Sequence, residues 1–115
     1  MTSKTPEISG FHAHFYYEQI TRDSAFAIRE ALMKHAPTGV RVYPPIDRPI
    51  GPHPTPMFEI DFSHAQFHNV VTWLMLHHGE HSVLVHPITG DDNSDHFDYP
   101  IWIGKTLPLD GSIFD

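Results

Sequence analysis

Residues Phe11–Tyr17 read Phe-His-Ala-His-Phe-Tyr-Tyr, and their alternation of side chains is typical of a β-strand with one buried face. His12, His14 and Tyr16 fall together on the polar face of such a strand. Side chains two residues apart point the same way, with Cα atoms roughly 7 Å apart, so two imidazoles can reach one metal ion. A solvated strand face is the alternative for one pair of histidines, but the chain holds 11 histidines in 115 residues, which favours a metal site.

The composition predicts a single small domain over residues 1–115, with a loosely ordered lead-in at 1–8 and a C-terminal tail at 105–115. The sequence has no cysteine, no signal-peptide pattern and no apolar segment near the roughly 20 residues that cross a bilayer. We therefore expect a cytoplasmic protein that makes no use of membranes. A net charge of −7, with no basic cluster, argues against nucleic acid as a partner.

Hydrophobic periodicity predicts two helices and four strands along the chain. Capping residues and a proline–glycine stop bound the first helix, and Ser63 with Gln66 forms a capping box before the second, which Gly79 ends. The predicted elements are a strand over 9–17, a helix over 21–36, a strand over 40–43, a strand over 57–62, a helix from 63 to 78 and a strand over 81–86.

This order predicts an α+β fold of the ferredoxin-like βαββαβ type, with two helices on one face of an antiparallel sheet ordered 4-1-3-2. The first strand would lie between the strand of Glu59 and the strand that ends at His86. One open sheet face would then collect His12, His14, Glu59 and His86. Such a face needs a cover, and we expect the C-terminal tail or a second subunit of a homodimer to provide it.

A proline-dense connection over residues 44–56, with six prolines in thirteen positions, is stiff because proline fixes φ. It carries Arg48 and His53 and can hold His53 over the open face. An ordinary surface connection is the equal alternative.

Two other groups of candidate ligands are assigned structural roles. His64 and His68 lie four residues apart at the start of a well-capped helix, with no third ligand nearby. The residues from Asp91 to Asp95 imitate a calcium loop, but the required glycine and glutamate are missing. Asp91 or Thr89 is instead expected to cap a short helical turn.

The donor set suggests a metal-dependent enzyme. Two histidines and one carboxylate suit ferrous iron that reacts with O₂, whereas three histidines with one open position suit catalytic zinc. His53 or His96 could move protons near neutral pH. The sequence contains no nucleophile elbow, no phosphate-binding glycine loop and no His-Glu-x-x-His helix.

Three segments resemble the DOPA 4,5-dioxygenase family over roughly residues 10–105. They are the Phe11–Tyr17 strand, the Gly51–Pro54 loop with Met57-Phe58-Glu59 after it, and the long run from Val85-His86-Pro87 to Asp95-His96 that precedes Trp102-Ile103-Gly104. The resemblance implies extradiol cleavage of a catechol such as DOPA by O₂ at a non-haem ferrous centre.

From both lines we assign hypothetical roles. The expected metal is Fe²⁺, with Zn²⁺ as a possible substitute, and its candidate ligands are His12, His14, His86 and Glu59. The catalytic candidates are His53, His96 and Tyr16, and the candidates for binding a substrate carboxylate are Arg48 and Arg41. The alternatives are a zinc-dependent hydrolase on the same histidines and a non-catalytic dimer that binds an aromatic ligand or a metal.

Overall fold

In the computed structural model, which describes residues 4–114, the histidine-bearing segment forms the central strand β1 (Gly10–Tyr16) of a five-stranded antiparallel sheet. The strand order is β2-β3-β1-β4-β5, which confirms the ferredoxin-like α+β prediction and adds a fifth strand at the β4 edge. Residues 1–3 of the predicted lead-in and residue 115 of the predicted tail lie outside the described residues. The remaining elements are α1 (Arg22–His35), β2 (Arg41–Val42), β3 (Met57–Phe62), α2 (His64–His77), β4 (Val83–Ile88), α3 (Asp92–Phe97) and β5 (Ile101–Ile103).

The main core lies between the sheet and the helices α1 and α2, as the alternation of apolar residues predicts. Each strand contributes every second side chain to it, and each helix contributes a stripe at helical spacing. Its largest fully buried members are Phe15, Leu32, Phe58, Ile60, Val70 and Leu74. The capping box of Ser63 and Gln66 is present at the start of α2, and Gly79 has a left-handed φ of 60° after its end.

The opposite face of the sheet carries the histidines and has its own cover. Tyr16, Met57 and Leu84 form a second small core on this face. Leu107 and Leu109 of the C-terminal segment and Ile46 of the proline connection pack against it. The chain therefore supplies a cover for part of this face, and the homodimer stays a prediction.

The last part of the chain adds α3 between β4 and β5. Asp91 caps α3 by accepting a hydrogen bond from the Ser94 amide at 3.1 Å, which confirms the predicted helical turn and its cap. None of the helices within residues 4–114 combines the length and the apolar character that a bilayer crossing requires.

Candidate active site

A cavity of about 240 Å³ lies over the second face of the sheet, between the strands, α3, the proline connection and the C-terminal turn (Gly111–Phe114). The strand register places His12 opposite His86 and His14 opposite Glu59, because the alternate residues of β1, β3 and β4 share this face. Five histidines line the cavity: His12, His14, His53, His86 and His96. The structure thus brings together the histidines that the sequence singled out.

The geometry of His12, His14 and His86 fits a shared metal ion. One ring nitrogen from each lies within 4.8 Å of the others. The Nε2 atoms of His14 and His86 are 3.1 Å apart. Two nitrogens that bind one ion at right angles, each about 2.1 Å from it, are separated by about 3 Å.

A hydrogen bond at its other ring nitrogen prepares His86 as a ligand. The Nδ1 atom of His86 donates to the carbonyl oxygen of Pro87 at 2.8 Å, so the Nε2 atom of the neutral ring carries a lone pair. His14 is buried, and its Nδ1 atom has no hydrogen-bond partner among the described residues. A buried polar atom without a partner is costly, and an ion bound at Nε2 would leave this cost at Nδ1 in place.

Burial in the cavity keeps His14, His53 and His86 neutral. Burial, helped by the neighbouring histidines, lowers the pKa of His86 to about 4 and that of His53 to about 4. The same causes hold the pKa of His14 well below its usual range. Neutral imidazoles have the free lone pairs that metal binding requires.

Glu59 and Asp61 form the acidic side of the site. The Nε2 atom of His12 lies 3.3 Å from the Asp61 carboxylate and 3.9 Å from that of Glu59. Burial, with a hydrogen bond to Asp61, raises the pKa of Glu59 to about 8. Glu59 groups with His12 and Asp61, but it does not join the group of His12, His14 and His86. Sequence reasoning did not select Asp61, although its position two residues after Glu59 puts it on the same face.

His53 is held by Tyr16. The Tyr16 hydroxyl and the Nδ1 atom of His53 are 2.7 Å apart, and within residues 4–114 this buried hydroxyl has no other hydrogen-bond partner. A buried hydroxyl proton without an acceptor is costly, so Tyr16 is the donor and the His53 proton resides on Nε2. His14, His53 and His96 form a second group of three nitrogens within 4.8 Å, but a protonated Nε2 on His53 suits proton donation better than metal binding.

The proline connection is fixed at both ends, which places His53. Tyr17 and Arg22 hydrogen-bond the Asp47 carboxylate near its start, and the two Arg22 contacts are 3.0 and 3.1 Å long. Near its end, the carbonyl of Pro52 accepts a hydrogen bond from the Asp110 amide of the C-terminal segment at 2.8 Å. The connection is therefore an anchored loop, in agreement with its predicted stiffness.

His96 is presented by α3. Its Nδ1 atom donates to the carbonyl of Asp92 at 2.7 Å, which leaves a lone pair on Nε2. Asp95, a buried carboxylate on the same helix, accepts from the hydroxyl and the amide of Thr89 at 2.5 and 3.0 Å. These two hydrogen bonds, called the clasp between Thr89 and Asp95 below, connect α3 to the end of β4. The sequence predicts the cap of α3 but not these bonds.

Arg48 and Arg41 are not among the residues that line the histidine cavity. Arg48 is exposed on the proline connection, and Arg41 faces Asp61 across the β2–β3 pair and lines a separate depression. A role for either in substrate binding stays a prediction.

A larger groove of about 470 Å³ lies at the other face of the sheet. It is lined mainly by apolar side chains such as Phe11, Phe67, Val85 and Ile101. Among the described residues, it contains no group of three metal ligands. The candidate metal ligands therefore lie in the smaller histidine cavity.

Similarity to known proteins indicates the family of the chain. The model of the Dopa 4,5-dioxygenase family matches residues 11–113. The fold is similar to a crystal structure from Nostoc punctiforme described as a "putative dioxygenase", with a TM-score of 0.85 and 44% identity over 90% of this chain and 89% of that one.

Two longer fungal proteins are also similar. An uncharacterized 21.2 kDa protein of Botryotinia fuckeliana is 37% identical over 90% of this chain, and the DOPA 4,5-dioxygenase of Amanita muscaria is 34% identical over 90%. The chain spans 62% and 48% of the lengths of these two relatives. The relationship therefore covers almost the whole chain but only part of each fungal protein.

Proposed function

Because the chain belongs to the Dopa 4,5-dioxygenase family, we propose that it is an extradiol dioxygenase that cleaves a catechol ring, such as that of DOPA, with O₂ at a ferrous ion. In this reaction one ring carbon–carbon bond beside the diol breaks. Both oxygen atoms of O₂ enter the product, which carries an aldehyde and a carboxylate.

The observation that carries the proposal is the convergence of His12, His14 and His86 on one point above the sheet, with 3.1 Å between two of their Nε2 atoms. These three residues would hold the ion. When bound, ferrous iron would supply the electron-transfer route between the aromatic diol and O₂. Glu59, the fourth predicted ligand, lies beside His12 instead, and we propose that it acts there as a proton-holding neighbour.

The remaining histidines have complementary proton states, which suits acid–base work. His96 offers a lone pair on Nε2 that can accept a hydroxyl proton from the catechol. His53 offers a proton on Nε2, and Tyr16 fixes both its tautomer and its orientation. His96 would therefore remove a proton from the substrate as it binds and return it as the ring opens, while the Nε2–H group of His53 would donate a hydrogen bond to the oxygen on which negative charge develops.

The C-terminal turn completes the cavity with apolar surface. Ile113 and Phe114 line it, and the Phe114 ring lies 5.2 Å from the His96 ring, centroid to centroid. An aromatic substrate needs such a wall for its ring, while its hydroxyls face the histidines. The cavity provides both the apolar wall and the histidines.

A zinc-dependent hydrolase is the second candidate, because three imidazoles are a common ligand set for catalytic zinc. One experiment separates the two. Protein stripped of metal and loaded anaerobically with Fe²⁺ should, on admission of air and 4-methylcatechol, consume one O₂ for each yellow ring-opened product. The same protein loaded with Zn²⁺ should consume none. Lack of O₂ uptake by the iron form, with ester hydrolysis by the zinc form, would contradict the dioxygenase proposal.

A further inference from the structure

We infer that the histidine cavity selects catechols that carry a cationic amino group over catechols whose only charged group is a carboxylate. This inference rests on the proposed function, since it names the class of substrate that the same site would take. It follows from the charges that line the cavity.

The cavity has no lysine or arginine in its lining, and all seven of the chain's basic residues lie within residues 4–114. Arg22 is paired with Asp47 at 3.0 Å, and Arg29 donates to the carbonyls of Tyr43 and Val42 at 3.0 and 3.3 Å. Arg41 lines a different depression, and Arg48 is exposed. A substrate carboxylate would therefore meet no basic side chain in the cavity.

Carboxylates do line the cavity. Asp92 and Asp95 come from α3. Glu59 of β3 also lines the cavity, but burial raises the pKa of this group to about 8, so it adds no charge near pH 7. The Asp95 carboxylate receives its hydrogen bonds from the hydroxyl and amide of Thr89, which are neutral donors and leave its charge uncancelled. Asp92 has no lysine or arginine within ion-pair distance in the described part of the chain.

Other sources of positive potential are limited. The Nε2 atoms of His14 and His86 are too close for both to carry protons. The amino end of α3 is already occupied by the carboxylate of Asp91, which caps it. A divalent ion would add positive charge, but the deprotonated catechol would offset it to the same extent whatever group the ring carries. The uncancelled charge near the substrate's side chain is therefore negative.

Two ligands of equal ring structure and opposite charge test the inference without any metal. Tyramine carries an ammonium group, and 4-hydroxyphenylacetate carries a carboxylate. Calorimetric titration of the metal-free protein should give a dissociation constant about tenfold lower for tyramine, and the ratio should shrink as salt screens the charges. Equal constants, or tighter binding of the acid, would overturn the inference.

A matched pair of variants tests whether the cavity carboxylates cause the preference for the cationic ligand. Asp92→Asn should reduce the preference about threefold, because it removes one negative charge from the cavity wall. Asp98→Asn should leave the preference unchanged, because Asp98 is exposed at the other end of α3 and does not line the cavity. An equal effect of both substitutions would indicate the overall charge of the protein and would overturn the assignment to the cavity.

The iron-loaded protein extends the test to turnover. The value of kcat/KM should fall in the order dopamine, 4-methylcatechol, 3,4-dihydroxyphenylacetate. Cleavage of 4-methylcatechol with a preference for the acid would overturn the inference and leave the proposed function standing. Tighter binding of tyramine without cleavage of any catechol would support the inference and refute the proposed function.

Discussion

At the scale of single residues, His53 is distinguished from the other cavity histidines by its hydrogen bond with Tyr16. His53→Asn should leave the bound iron unchanged and lower kcat about 100-fold, because it removes the imidazole that hydrogen-bonds to the developing negative charge but removes no ligand. Iron content and turnover, measured on the same samples, check this. His68→Asn, on the exposed side of α2, is the matched control and should change neither. Loss of iron together with activity would make His53 a ligand.

Tyr16 acts on the reaction through His53. Tyr16→Phe removes the hydroxyl that fixes the His53 tautomer and keeps the aromatic ring in the second core. We expect kcat to fall roughly tenfold, with KM and iron content unchanged. Steady-state kinetics on folded, iron-loaded protein measure this. An unchanged kcat would show that the hydrogen bond has no part in the reaction.

The buried histidines make the metal-free protein sensitive to acid. In the unfolded chain a histidine gains its proton near pH 6.5, whereas burial lowers the pKa of His86 in the folded protein to about 4. Between these values the unfolded state binds more protons, so the free energy of unfolding decreases as the pH falls from 6.5 to 4. His86 alone should account for about 3 kcal/mol of this decrease.

Urea unfolding of the metal-free protein at several pH values measures this effect. His53→Asn should reduce by about one the number of protons taken up on unfolding between pH 6.5 and pH 4, since burial also lowers the pKa of His53 to about 4. The free energy of unfolding should therefore depend less steeply on pH. His68→Asn should leave the slope unchanged. Stability that stays constant from pH 7 to pH 4 would contradict the buried, neutral state of the cluster.

Some of these residue-level features could be predicted from sequence and others could not. The pairing of His12 with His86 follows from alternation and strand order, because a period of two and an antiparallel register fix which side chains meet. The tautomer of His53 and the carboxylate of Asp95 depend on hydrogen bonds between segments distant in sequence. Local sequence patterns do not predict hydrogen bonds between distant segments.

At the scale of elements, α3 depends on the clasp between Thr89 and Asp95. Thr89→Val keeps the shape of the side chain but removes the hydroxyl donor, leaving a buried carboxylate with one partner fewer. We expect a loss of about 2 kcal/mol in stability and a lower kcat, because α3 also carries His96. Thermal unfolding and turnover measure the two effects. Thr72→Val, which removes a hydroxyl bonded to a helix carbonyl, is the control and should cost less. Equal losses in both variants would contradict the role of the clasp.

The elements differ in how far sequence determined them. The capping box of Ser63 and Gln66 located the start of α2, since two reciprocal hydrogen bonds at fixed spacing leave few alternatives. The strand β5 was missed because it has only three residues, Ile101–Ile103, and forms by pairing with β4. A strand that short has too few residues to show a period.

At the scale of the whole molecule, the order of the elements was enough to predict the sheet. The predicted order 4-1-3-2 appears as β4-β1-β3-β2, with β5 beside β4. From sequence, the cover of the histidine face could be predicted only as either the C-terminal tail or a partner subunit. Sequence patterns do not show against which surface an irregular segment packs. Leu107 and Leu109 show that the tail packs there. The homodimer remains a prediction. The tail already covers part of the face that a partner subunit was expected to cover.

The convergence of His12, His14 and His86 is the claim on which the proposed function depends. It is tested most directly by the iron content of wild-type protein and of the variants His12→Ala, His14→Ala and His86→Ala after anaerobic loading and desalting. Wild-type protein should retain one ferrous ion per chain, and each variant should bind iron at least tenfold more weakly. Wild-type iron content in all three variants, or no retained iron in the wild type, would contradict a metal centre at this position.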